Sequence, residues 1–130
     1  MSEVRAWFDR YIAAFNEPDF DTMIEYYAPD MLFEGRTGRR EGRPAFIDYY
    51  RMLKGRVEEK MEVLSFVGTW TSILAEVRVN IRPYEDWPDF PTGPLLGGEH
   101  IQSVNLMYYD IVDRQFARVR AAPFSGRKRL

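Results

Sequence analysis

Between Trp70 and Arg82 the chain alternates strictly, with Ile73, Ala75, Val77, Val79 and Ile81 on one face of a strand and Glu76, Arg78, Asn80 and Arg82 on the other. A carboxylate next to a guanidinium on one strand face can move protons, provided burial lifts the acid's pKa toward neutrality. The polar face of a half-buried strand also commonly turns to water or to a second subunit, and the pattern alone leaves both readings open. Tyr11, on a helix face, offers either a phenol donor or a core ring. Asn105, flanked by Val104, Leu106 and Met107, needs hydrogen-bond partners if buried, either a ligand oxygen or backbone groups. His100 is the sole histidine, the residue type most often used as a proton shuttle, but the register that points Asn105 inward points His100 outward. Arg36, Arg39, Arg40 and Arg43 crowd eight residues, as an anion site or a solvated turn.

Composition narrows the chemistry. Zero cysteines exclude thiolate nucleophiles and disulfides, and one histidine excludes a multi-histidine metal site, so neither a metal nor another cofactor is expected. Eighteen Lys and Arg against twenty Asp and Glu give a net charge of −2, which removes the main electrostatic source of nucleic-acid affinity. The N-terminal residues from Met1 to Trp7 lack an apolar signal region, and no apolar run is long enough to span a membrane, so a cytoplasmic location is expected. With 130 residues, 45% of them hydrophobic, the chain has material for one domain with its own core. We place that domain at residues 1–125, with a basic C-terminal tail at 126–130.

The elements that must position these residues follow from periodicity. Val4, Trp7, Phe8, Tyr11, Ile12 and Phe15 mark a first helix, ended before Pro18. Asp19 caps a second, with Phe20, Met23, Ile24 and Tyr27 on its apolar face. A short strand, Met31 to Glu34, leads into the Gly- and Arg-rich turn, and Pro44 opens a third helix that runs to Gly55. From there the period becomes two. Met61, Val63, Ser65 and Val67 oppose Glu62, Leu64 and Phe66; the 70–82 strand follows, and Ile101 to Tyr109 and Phe116 to Phe124 supply two more strands around a turn at 110–114. The segment from Pro83 to Gly98 carries four prolines and five large apolar side chains, which must cap a pocket or pack on another subunit. The fold expected is α+β, with three N-terminal helices against a curved, mostly antiparallel sheet.

The order of elements, with the segments Arg10 to Asn16, Asp19 to Asp21, Tyr27 to Gly35 and Glu41 to Phe46, resembles the nuclear-transport-factor-2-like superfamily, which includes SnoaL-like cyclases, ketosteroid isomerases, scytalone dehydratases and epoxide hydrolases. The resemblance implies a cone-shaped α+β barrel with the helices in the concave face of the sheet and a pocket between them. It places Tyr11 at a pocket tyrosine, Glu76, Arg78 and Asn80 toward the pocket, and Ser103 and Asn105 on the substrate side. Asn16 and Ser65 fall where dehydratases carry an acid and a histidine, and Gly35 where isomerases carry their base. The reading that results is a cofactor-independent lyase, dehydratase or isomerase acting on a hydrophobic, ring-bearing small molecule, with Tyr11, Glu76 and Arg78 catalytic and Asn16, Ser65, Asn80, Ser103 and Asn105 binding substrate. The alternative is a non-catalytic binding or assembly module of the same fold. A homodimer through the outer sheet face, using Val104, Leu106, Tyr108, Leu64 and Phe66, completes the expectation.

Overall fold

In a computed structural model describing residues 2–130, three α-helices precede most of a six-stranded, mostly antiparallel open sheet. Met1, which opens both the expected domain and the N-terminal stretch read for a signal, lies outside the described residues. Helix α1 (Glu3–Asn16) begins where the Ser2 hydroxyl accepts the Arg5 amide at 3.2 Å, and it buries Val4, Trp7, Phe8, Tyr11, Ile12 and Phe15. The Asp19 carboxylate caps α2 at the Thr22 amide, but α2 spans only Phe20–Met23. The expected longer helix gives way to a 3-10 turn at Ile24–Tyr26 and then to strand β1 (Tyr27–Gly35), because burying Tyr27 completely in the sheet core outweighs the helical period.

Strand β2 (Gly38–Glu41) forms a hairpin with β1, and Gly42, at φ +90°, turns the chain into α3 (Arg43–Arg56) with Pro44 in its first turn. Strands β3 (Val57–Gly68), β4 (Ser72–Pro83), β5 (Ile101–Val112) and β6 (Gln115–Arg129) follow as a meander. The sheet order is β2-β1-β6-β5-β4-β3, with β1 and β6 parallel and every other pair antiparallel. Asp113 and Arg114, both at positive φ, make the two-residue turn between β5 and β6, tighter than the expected 110–114 turn. Nor is 126–130 a loose tail. Strand β6 runs through it, Lys128 pairs with Gln102, and the Leu130 amide donates to the His100 carbonyl.

The register of β3 contains a bulge between Val63 and Ser65. Beyond it the inward phase changes. Phe66 packs into the core against Phe8, with ring centroids 5.5 Å apart, while Val67 is left exposed. The expected outer face therefore loses Phe66 and keeps Val104, Leu64, Leu106 and Tyr108 at intermediate to moderate exposure.

Two buried clusters result. The larger joins α1 to the inner sheet face through Phe8, Phe15, Tyr27, Tyr109 and Phe116. The smaller joins Leu53, Val57 and Ile101 to Trp87, Phe90 and Leu95 of the 83–98 loop. No helix among the described residues is long and apolar enough to cross a membrane.

Candidate active site

A cavity of about 100 Å³ touches members of both clusters. Its sheet wall comes from the inward positions of β3, β4 and β5, including Glu59, Met61, Val79, Ile81, Ser103 and Asn105. Helix α3 adds Tyr49, Tyr50 and Leu53. The hairpin of β1 and β2 contributes Phe33, Arg36 and Thr37, and β6 contributes Ala121, Ala122, Pro123 and Arg127. Small side chains on β5 and β6, opposite rings from α3, leave the space that larger residues would fill.

The 83–98 loop closes one side. Phe90, Thr92 and Leu95 line the cavity, and Trp87 and Leu95 bridge to each other as a short antiparallel pair. Arg127 ties the loop to β6 by donating to the Thr92 and Pro94 carbonyls, each at 2.9 Å. Of this segment's five large apolar residues, Phe90 and Leu95 cap the pocket with Trp87 buried beside them, while Tyr84 and Leu96 stay exposed.

Glu59 is the only carboxylate lining this cavity among the described residues. Its Oε1 is out of contact with solvent and has no hydrogen-bond partner. Burial lifts its carboxyl to about 7, and the Lys54 ammonium draws it partly back. Lys54 does not form an ion pair with that carboxylate; its Nζ donates to the main-chain carbonyls of Phe15 and Glu59 and lies 3.7 Å from the Phe15 ring centroid. Burial pulls Lys54 down to about 8. Tyr50 shares the cavity wall, and burial holds its phenol protonated well above its ordinary range, with Glu59 adding to the effect. The site thus holds one acid poised near neutrality among hydroxyl and amide groups, apolar walls and the two guanidiniums of Arg36 and Arg127.

The SnoaL-like domain pattern matches residues 8–119. The chain belongs to the SnoaL-like domain family. No curated relative matches it in sequence. Among solved structures, a SnoaL-like polyketide cyclase from Agrobacterium tumefaciens superposes with a TM-score of 0.75 at 18% identity, covering 94% of this chain and 91% of that one. An LEH-like epoxide hydrolase from M. tuberculosis superposes with a TM-score of 0.71 at 16% identity, covering 89% and 78%. At these identities the likeness establishes the shared fold.

Within this SnoaL-like domain the residues expected to do chemistry are scattered. Ser103 and Asn105 line the cavity. Glu76, Arg78 and Asn80 point to the opposite face of the sheet, correcting the pocket-facing orientation implied by the superfamily resemblance. Glu76 accepts from the Ser65 hydroxyl at 3.2 Å, Arg78 pairs with Glu62 at 3.0 Å, and Asn80 meets His100 and Gln102 at 2.8 and 3.0 Å. The physical reason is that the other phase of β4, from Ile73 to Val79, is needed for the core. Ser65 is carried outward by the β3 bulge.

Tyr11 sits in the aromatic core and not on the cavity wall. Its hydroxyl is 2.5 Å from that of Tyr27, and burial pushes its pKa up, out of reach of proton transfer near neutrality. Asn16 has a structural role. Its amide donates to the Met61 carbonyl at 2.9 Å and accepts from the Met61 amide at 2.7 Å, so it clamps the end of α1 to β3. Glu59, Tyr49, Tyr50, Arg36 and Arg127 are the ionisable groups lining the cavity, and none is among the candidates drawn from the resemblance. The signal for Glu59 was present, since Val57, Glu59, Met61 and Val63 share one strand phase.

Proposed function

We propose that this SnoaL-like domain is a cofactor-independent acid–base enzyme, of lyase, dehydratase or isomerase type, that moves a proton on a small ring-bearing molecule. The observation that carries the reading is the carboxylate of Glu59, whose Oε1 is buried without a hydrogen-bond partner in a cavity that holds no other carboxylate among the described residues. A carboxyl held at about 7 is ionised often enough to accept a proton and protonated often enough to return it. In the proposed step the ionised Glu59 takes a proton from a carbon next to a carbonyl. Charge moves to that oxygen, where Ser103 and Asn105 offer donors, and Glu59 gives the proton back at the neighbouring position. Size limits the ligand. An engineered apolar cavity of about 150 Å³ accepts benzene, so a cavity of about 100 Å³ suits one ring rather than a polycycle.

The test is a thermal-shift screen with single-ring ketones and phenols, followed by turnover measurements on those that bind. For a base-initiated reaction, kcat/KM is expected to rise through about pH 7. Glu59→Gln is expected to lower turnover by about 10²- to 10⁴-fold, the usual worth of a general acid–base group. Ligand binding without turnover, unchanged by Glu59→Gln, would reject the enzyme and favour the binding-module alternative.

A further inference from the structure

Arg36 and Arg127 line the same cavity as Glu59, and neither has a carboxylate partner within ion-pair distance among the described residues. Arg36 stands exposed at the mouth and Arg127 is partly buried. Arg127 uses its donors on two neutral carbonyls of the loop, which hold the guanidinium in place without cancelling its charge. Glu99, the carboxylate whose charge favours the Arg127 cation, is itself engaged by Arg129 at 2.7 Å. Burial, Arg129 and Arg36 all press against the charge of Arg127. Gly93, at φ +123°, makes the arrangement possible, because a Cβ there would collide with Arg127 Nη1. Arg127, partly buried with its charge uncancelled, and Arg36 at the exposed rim leave two guanidiniums free to share an anion that enters the cavity.

We propose that the cavity takes a single-ring carboxylate, its ring among the apolar side chains and its carboxylate held at the mouth by Arg36 and Arg127. The planar forks of arginine match a carboxylate better than they match a neutral oxygen. The apolar wall, with Phe33, Leu95 and Met107, calls for an apolar body behind the charge. This substrate class rests on the acid–base reading of the same cavity, because Glu59 then faces the body of the molecule while the arginines hold its charged end.

The experiment is calorimetric titration of the full chain with benzoate and cyclohexanecarboxylate, and with their uncharged carboxamides. At least one carboxylate is expected to bind about tenfold or more tightly than its carboxamide. Arg36→Gln, at an exposed position with no ion pair to lose, is expected to abolish that preference while the melting temperature of the free protein stays put. Glu59→Gln is expected to keep the preference, which separates this inference from the acid–base reading. Equal binding of acid and amide, no binding of either acid, or a preference that survives Arg36→Gln would each overturn the proposal. Loss of turnover in Glu59→Gln on a neutral ring ketone would leave the acid–base reading standing in each of those cases.

Discussion

The two buried clusters beside the cavity handle polar groups in opposite ways. In the aromatic cluster Tyr11 and Tyr27 satisfy one another, and Phe116 lies within 4.7 to 5.8 Å of the Tyr11, Tyr27 and Tyr109 rings, mostly edge-on or tilted. That end does leave the Tyr109 hydroxyl unpartnered, but a phenol stays neutral there. On the other side Glu59 answers burial by changing its protonation, and one side of the wall is a loop held by side-chain bonds to its main chain. One region spends its apolar surface on filling space. The other leaves space unfilled and keeps a titratable group in it, as a binding site requires.

The contrast is sharpest in truncations. Phe116→Ala removes a fully buried ring surrounded by other rings, and is expected to cost about 3–5 kcal/mol. Phe90→Ala removes a ring of similar burial that borders the cavity and belongs to a loop free to settle, so its cost is expected to be lower by at least about 1 kcal/mol. Denaturant midpoints of the two variants decide it. Equal losses would mean that the cavity wall is packed as firmly as the core.

Glu59 supplies the next largest effect, and its sign is opposite to that of the surface acids. Its carboxyl rises from 4.5 to about 7 on folding, so between those values the native state holds a proton that the unfolded state has released. The stability this contributes is fully present below about pH 4.5 and is lost as pH rises through about 7. The loss is on the order of 3 kcal/mol. Asp19, Glu34 and Glu99 are held below their ordinary values by the Thr22 cap, the Arg118 guanidinium, and the Leu96 amide with Arg129. Their contributions are lost only as pH falls below the carboxylate range. Glu59→Gln is expected to remove the slope between pH 4.5 and 7 and to make the protein more stable than wild type at pH 8. Chemical denaturation at a series of pH values reads both, and an unchanged slope would mean that the carboxylate is solvated.

Local rules carried much of the fold in advance. The cap at Asp19, the 3.6-residue period of α1 and the strict alternation of β4 each follow from forces within a few residues. The β3 bulge did not, because apolar residues occupy both phases from Val63 to Val67 and no alternation marks where the register slips. Arg127 was hidden for another reason. Its partners are the carbonyls of Thr92 and Pro94, more than thirty residues away, so its segment looked like a charged tail. Within the site, Ser103 and Asn105 follow from the superfamily resemblance, whereas Glu59 lies ahead of the alternation that starts at Met61, four residues after β3 begins. For β4 the alternation pattern and the superfamily resemblance pulled in opposite directions, and the hydrophobic phase decided the orientation.

That orientation carries the smallest expected effect and the most direct check. Glu76 accepts one hydrogen bond, from Ser65, on the sheet face turned away from the cavity. Replacing its carboxylate with an amide of the same shape keeps an acceptor for that hydroxyl and removes a charge from a partly solvated surface. Exposed polar contacts of this kind contribute roughly 0–1 kcal/mol, and substitutions of such residues are usually within about 0.5 kcal/mol of neutral. Glu76→Gln is therefore expected to leave the denaturation midpoint nearly unmoved and turnover within about twofold of wild type, since no proton path connects that face to Glu59 through the apolar inner phase of β4. Turnover and unfolding should be measured on the same preparation as Glu59→Gln. A large loss of turnover in Glu76→Gln, with Glu59→Gln active, would move the chemistry to the outer face and reverse the contrast between the sheet's two sides.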